Sequence, residues 1–122
     1  MPKNKIRVKA ADGGHIDIKV VANQKVVTVK KIHPKSYILD VRANRKAMQQ
    51  LTAAGYQLYM YFVINVPGYT EALSLKNVTN KTSLTEKPYY RAVNELITKG
   101  YLVRHHHEDF AEYYVLYEGG HT

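Results

Sequence analysis

The chain has 122 residues, 45% hydrophobic and 23% charged, enough for one compact domain with a buried core but too few for two ordinary ones. It holds no cysteine, which excludes a disulfide framework, a thiolate metal site and a cysteine nucleophile, and fits a reducing, cytoplasmic setting. The 18 Lys and Arg against 10 Asp and Glu give a formal charge of +8 at pH 7, a balance that favours polyanionic partners, nucleic acid first.

The excess is uneven. Residues 1–46 carry 12 basic and 3 acidic side chains, and residues 47–122 carry 6 and 7. The opening Met1-Pro2-Lys3-Asn4-Lys5 leads into alternating residues rather than an apolar run, so no secretory signal is expected. Ile6, Val8 and Ala10 alternate with Lys5, Arg7 and Lys9, the period of a half-buried strand. Asp12-Gly13-Gly14 is a hairpin signal, and Ile16, Ile18 and Val20 resume the alternation. A second turn at Ala22-Asn23-Gln24 leads to the β-branched stretch Val26–Ile32. These residues predict a small antiparallel meander over 1–35, separate from the rest of the chain. Lys5, Arg7 and Lys9 fall on one strand face over about 13 Å at ~3.3 Å per residue, a spacing suited to tracking a phosphate backbone.

From Ser36 the period changes. A short helix is expected over Asn44–Gln50, then Thr52 as an N-cap before the almost wholly apolar segment Ala53–Ile64. The apolar window 53–66 spans about 14 residues, short of the roughly 20 a membrane helix needs, so no membrane partner is expected. Pro67-Gly68 should stop that helix. Ser74 caps a short helix through Leu75 and Val78, a turn at Lys81-Thr82-Ser83 comes next, and Leu84 is a candidate buried plug. Thr85 is expected to cap the last helix, with Pro88 in its first turn and Gly100 just past its end. Residues 101–106 and 112–118 then predict a hairpin, and 119–122 a frayed tail. Tyrosines 56, 59 and 61 are expected in the core, and one of Tyr113 and Tyr114 should face outward, since strand neighbours alternate.

Short helix, turn, longer helix and hairpin is the order of a winged helix-turn-helix, here over 36–118. At about 100° per residue, Lys87, Tyr90, Arg91, Asn94 and Thr98 form one polar stripe, opposite Tyr89, Ala92, Val93, Leu96 and Ile97. Such a division suits a helix whose exposed side donates to base edges and phosphates. The segments Leu51-Thr52-Ala53-Ala54-Gly55-Tyr56-Gln57-Leu58-Tyr59, Ala72-Leu73-Ser74 and the run from Tyr89 through Lys99-Gly100-Tyr101-Leu102-Val103 carry a resemblance. They are similar to winged-helix domains of phage and plasmid proteins of low-GC Gram-positive bacteria: replisome organisers, replication initiators and conjugation accessory proteins. That resemblance implies DNA contacts at Thr85, Lys87, Tyr90, Arg91 and Asn94.

His105-His106-His107 admits two readings. His105 and His107 could share a strand face and hold a metal with Glu108 or Asp109, as in a metal-dependent nickase with a tyrosine nucleophile. The bulky apolar residue such enzymes carry between their histidines is missing, so a hairpin tip is favoured, with Arg104, His105 and His107 near phosphate or the minor groove. No Gly-rich phosphate loop, nucleophilic triad or carboxylate pair occurs, so no catalytic residue, metal or cofactor is assigned. The expectation is an α+β winged-helix protein that binds double-stranded DNA and marks an origin of transfer or replication, or an operator. The contrasting reading is an assembly adaptor whose N-terminal sheet recruits a relaxase, a replication initiator or a second copy in a homodimer.

Overall fold

A computed structural model describes residues 5–9, 15–19, 26–33, 38–64, 70–107 and 110–121. In chain order the elements are β1 (Lys5–Lys9), β2 (His15–Lys19), β3 (Val26–Lys30), α1 (Val41–Gln50), α2 (Ala53–Val63), β4 (Thr70–Ala72), α3 (Leu75–Lys81), α4 (Glu86–Thr98), β5 (Leu102–His107) and β6 (Phe110–Tyr117). The fold is α+β. No described helix is long and apolar enough to cross a membrane. The turns expected at Asp12-Gly13-Gly14 and Ala22-Asn23-Gln24, the Pro67-Gly68 stop and the loop residues Glu108 and Asp109 lie outside the described residues.

Three helices start where a short polar side chain takes over an unpaired backbone N–H. Asp40 accepts from Ala43 at 2.9 Å, Thr52 from Gly55 at 3.3 Å and Ser74 from Asn77 at 3.1 Å. The Asp40 cap starts α1 three residues earlier than the sequence pattern suggests. Thr85 differs from expectation: it stands before α4 in extended backbone, but its hydroxyl makes no capping bond. At the other end of α4, Gly100 takes φ +79°. Tyr101 N–H then donates to the Leu96 carbonyl at 2.8 Å and Gly100 N–H to Ile97 at 3.2 Å, the paired bonds that close a helix through a left-handed residue.

The strands correct the expected meander. β1 and β2 pair with each other, but β3 joins a four-stranded sheet of order β4-β3-β6-β5. It runs parallel to β6, with Val27 opposite Tyr114 and Lys30 opposite Tyr117, and antiparallel to β4. The boundary placed at residue 35 therefore cuts through one sheet. Val26, Val27, Thr28 and Val29 are all buried, the unbroken pattern of a strand covered on both faces. Both Tyr113 and Tyr114 are buried too, at 7% exposure each, so neither faces outward as the alternation suggests. Tyr114 enters the core, while Tyr113 stacks its ring on His105 at 5.4 Å on the other face.

Leu58, Tyr59, Phe62 and Val63 of α2 pack with Tyr89, Ala92 and Leu96 of α4, Val78 of α3 and the inward residues of β3, β5 and β6. Tyr59 is fully buried, yet its hydroxyl accepts from Gly119 N–H at 3.1 Å. That bond is one reason the tail through His121 is fixed rather than frayed. His121 N–H donates to the Gly100 carbonyl at 2.7 Å, and the His121 ring stacks on Tyr117 at 4.2 Å. Gly119 sits at φ +79°, where an added Cβ would come 2.9 Å from Ala43 Cβ.

Glu118 is the buried acid of this corner. Its carboxylate accepts from Ile32 N–H and Asp40 N–H, each at 2.9 Å, and so closes the loop between β3 and α1. Glu118→Ala strands both donors and should lower unfolding free energy by about 2–4 kcal/mol. Urea denaturation measures this, and a midpoint equal to wild type would show that water replaces the carboxylate without loss.

Candidate nucleic-acid interface

α4 divides as its spacing demands. Lys87, Tyr90, Arg91, Asn94 and Thr98 are all exposed, whereas Tyr89, Ala92 and Leu96 are buried and Val93 is half-buried. Ile97 departs from the pattern at 43% exposure and is not a core residue. Its position lies at the margin of the apolar arc. No side chain of Lys87, Arg91 or Asn94 is held by a hydrogen bond or ion pair among the described residues. Three free donors of different geometry thus point outward along about two turns. Tyr90 sets its ring edge-on to Tyr89 at 5.1 Å, and burial, followed by this neighbour, pushes the Tyr89 hydroxyl up to about 12.

The turn before α4 is built from Thr82, whose hydroxyl donates to the Val78 carbonyl at 2.8 Å and accepts from Leu84 N–H at 3.1 Å. That bond directs Leu84 into the core, as expected of a plug. Gln57 of α2 donates to Ser83 at 2.7 Å and steadies the same turn. On the far side of α3, Asn77 donates to Tyr61 at 2.9 Å and Glu71 at 3.0 Å, which fixes β4 against α2 and α3. β4 itself was not expected, since three residues are too few to show a period.

One carboxylate sets how α4 lies on α2. Glu95 accepts from Thr52 N–H at 2.8 Å, Thr52 Oγ1 at 2.6 Å and Lys99 Nζ at 2.7 Å. Burial alone would raise its pKa, but the bonds from Lys99 and Thr52 outweigh that and hold the carboxyl below its usual range. Lys99 also donates to the last carbonyl of α1, at Gln50. Gly55 is required here because an added Cβ would run into the Glu95 carboxylate. Sequence reasoning missed Glu95, although the Glu95–Lys99 spacing of four on a helix was a usable signal.

The β5–β6 hairpin carries the other expected contacts. Arg104 is exposed and stands opposite Tyr114 in the ladder, on the sheet face that bears the helices. His106 is exposed on the same alternation. His105 is placed differently from the expected phosphate contact. It lies between Tyr113 and Tyr117, within 3.2 Å of the Tyr117 hydroxyl. Burial, together with His121 and Lys30, lowers its pKa, so at neutral pH it packs as an uncharged ring. The side chain of His107 lies outside the described residues, as do those of Lys5, Arg7 and Lys9. Their backbone register sets Lys5 opposite Lys19, Arg7 opposite Asp17 and Lys9 opposite His15. Among the described residues no three His, Asp or Glu converge as metal ligands.

No protein-family model, curated protein or solved structure matches the chain.

Glu95→Gln keeps the shape but turns an NH2 group toward donors, and should cost about 1–3 kcal/mol at pH 7. The folded pKa is depressed, so the carboxylate's contribution is complete above the ordinary value of 4.5 and vanishes as pH falls through the folded value. Unfolding curves of the two proteins should therefore converge in acid, and a gap independent of pH would contradict the ionised role.

Proposed function

We propose that the protein is a winged helix-turn-helix that binds double-stranded DNA in a sequence-specific manner. In this reading α3 and α4 are the helix-turn-helix, α4 enters the major groove, and β5–β6 is the wing. The observation that carries it is the exposed polar stripe of α4, whose Lys87, Arg91 and Asn94 side chains have no hydrogen bond or ion pair among the described residues, held outward by the Glu95 bonds and by burial of the opposite face. Arg91 lies at the middle of the stripe and offers the forked donors that read guanine, while Asn94 offers the amide that reads adenine. Lys87 and Thr85 near the helix start, Tyr90, Thr98 and the wing's Arg104 serve as phosphate contacts, which position the protein without reading sequence.

The charge supports this reading. A surplus of +8 gives the long-range attraction that brings such a helix to DNA. Lys5, Arg7 and Lys9 of β1 add a sequence-independent clamp on the backbone. The biological task that fits, with the resemblance to phage and plasmid proteins, is marking an origin of transfer or replication, or an operator, on a mobile element. The chemistry assigned is recognition, with no bond made or broken.

Arg91→Ala should weaken binding to the specific site by about 1–3 kcal/mol and reduce discrimination against random duplex. Footprinting on DNA flanking the gene supplies the site, and fluorescence anisotropy supplies the affinities. Equal affinities for both duplexes before and after substitution would remove α4 from recognition.

A second test separates clamp from reader. Replacing Lys5, Arg7 and Lys9 together with Gln should weaken specific and random duplexes alike. It should also flatten log K against log salt by up to ~0.9 for each lost contact. An unchanged slope would assign β1 to a protein partner instead and favour the adaptor reading.

A further inference from the structure

α1 is built the reverse of a helix that only covers a core. It buries the small Ala43 and Ala47, while Val41 and Met48 are 62% and 56% exposed. At about 100° per residue these two stand on one face, two turns apart. Ile38, just before the helix, is 65% exposed and extends the row. Arg42 and Arg45 lie beside it, both exposed and neither in an ion pair among the described residues. No Asp or Glu occurs between Asp40 and Glu71, so neither α1 nor α2 supplies an acid to neutralise these cations. The outer face of α1 therefore sets Val41 and Met48 two turns apart with Arg45 between them and Arg42 to one side, neither arginine in an ion pair among the described residues.

We propose that this face docks an acidic amphipathic helix of a partner protein. Ile38, Val41 and Met48 offer apolar contacts to the i, i+3, i+4, i+7 anchors such a helix presents, and carboxylates flanking those anchors would pair with Arg42 and Arg45. A second copy of the chain fits poorly, because pairing α1 with α1 sets cations against cations with no acid on either helix. A phosphate backbone would engage the arginines but leave Val41 and Met48 in water. The surface is distinct from the α4 stripe, and partner docking goes beyond the DNA reading. The two are joined mechanically, since Lys99 and Tyr101, at the end of α4, both bond to Gln50 at the end of α1.

The test uses the full chain and a fluorescein-labelled helical peptide of about 18 residues. Leu occupies the i, i+3, i+4, i+7 positions and Glu flanks them; a control peptide carries Lys in place of Glu. By anisotropy the Glu peptide should bind and the Lys peptide should not. Val41→Ser with Met48→Ser, and separately Arg42→Gln with Arg45→Gln, should each weaken the Glu peptide by about tenfold or more. Circular dichroism should match wild type for both pairs, as expected for exposed positions. The Val41/Met48 pair should also keep wild-type affinity for duplex DNA. No binding of the Glu peptide, or binding that both pairs leave unchanged, overturns the proposal. So does a concentration-dependent dimer, seen by sedimentation, that the Val41/Met48 pair dissolves, since the face would then seat a second copy. A drop in random-duplex affinity for the Arg42/Arg45 pair with peptide binding intact at wild-type strength would assign the arginines to DNA and equally overturn it.

Discussion

The Glu95 carboxylate governs how the polar stripe of α4 is presented. It lies on the flank of α4, between the buried Ala92–Leu96 side and the exposed Arg91–Asn94 side. From there it meets the N–H and hydroxyl of Thr52, the cap residue at the start of α2, the end of a helix where a negative charge is favoured. A charge drawn partly out of water is best held when its lone pairs are filled, and Thr52 and Lys99 fill them. Gly55 is the condition for the approach, since any side chain there would occupy the carboxylate's place. The same Lys99 reaches Gln50, so three helices are indexed against one another at a single point. Rotating α4 about its axis would break that point, and it therefore sets the direction of the stripe.

The second constraint is topological. Strand β3 pairs in parallel with β6, so residues 27–30 meet residues 114–117 across most of the chain. A parallel pair has no hairpin to set its register, and long-range pairing is slow to form. What ends this pair is chemically specific. Glu118 N–H donates to the Lys30 carbonyl, and its carboxylate then takes the two N–H groups where the chain leaves for α1. The Lys30 ammonium sits over the Tyr117 ring at 5.6 Å. The last residues of the chain thus hold the exit of a strand from its first quarter.

These two constraints explain how far the sequence could be read. Periodicity and caps are local, so Thr52, Ser74, Leu84, Gly100 and the two faces of α4 were all legible. The stripe, which is most of the candidate interface, was legible for the same reason. Partnerships across the chain were not. Nothing in Val26–Lys30 names β6 as its neighbour, and a run of β-branched residues fits a meander as well as a central strand. The alternation rule failed at Tyr113 because it assumes one wet face, and His105 and its ring neighbours cover that face. The fixed tail was hidden because glycines suggest fraying unless their positive φ and the Tyr59 hydroxyl are known. Thr85 looks like a cap in sequence, yet the rotation of its hydroxyl is set by surroundings that sequence does not show.

Four acids are taken up by the fold's own hydrogen bonds. Among the described residues with placed side chains, Asp40, Glu71, Glu95 and Glu118 each accept from backbone or side-chain donors, and Glu86, exposed in the first turn of α4, is the exception. Asp40 caps α1 and takes His33 at 3.1 Å, and the Ala43 N–H holds its carboxyl below the usual range. Glu71 is taken up by Tyr61, Asn77 and Lys81. Lys87, Arg91, Arg42 and Arg45, by contrast, are exposed without an acidic partner among the described residues. An architecture that commits Asp40, Glu71, Glu95 and Glu118 to caps and clamps supports itself with them and leaves Lys87, Arg91, Arg42 and Arg45 for whatever polyanion or acidic helix arrives.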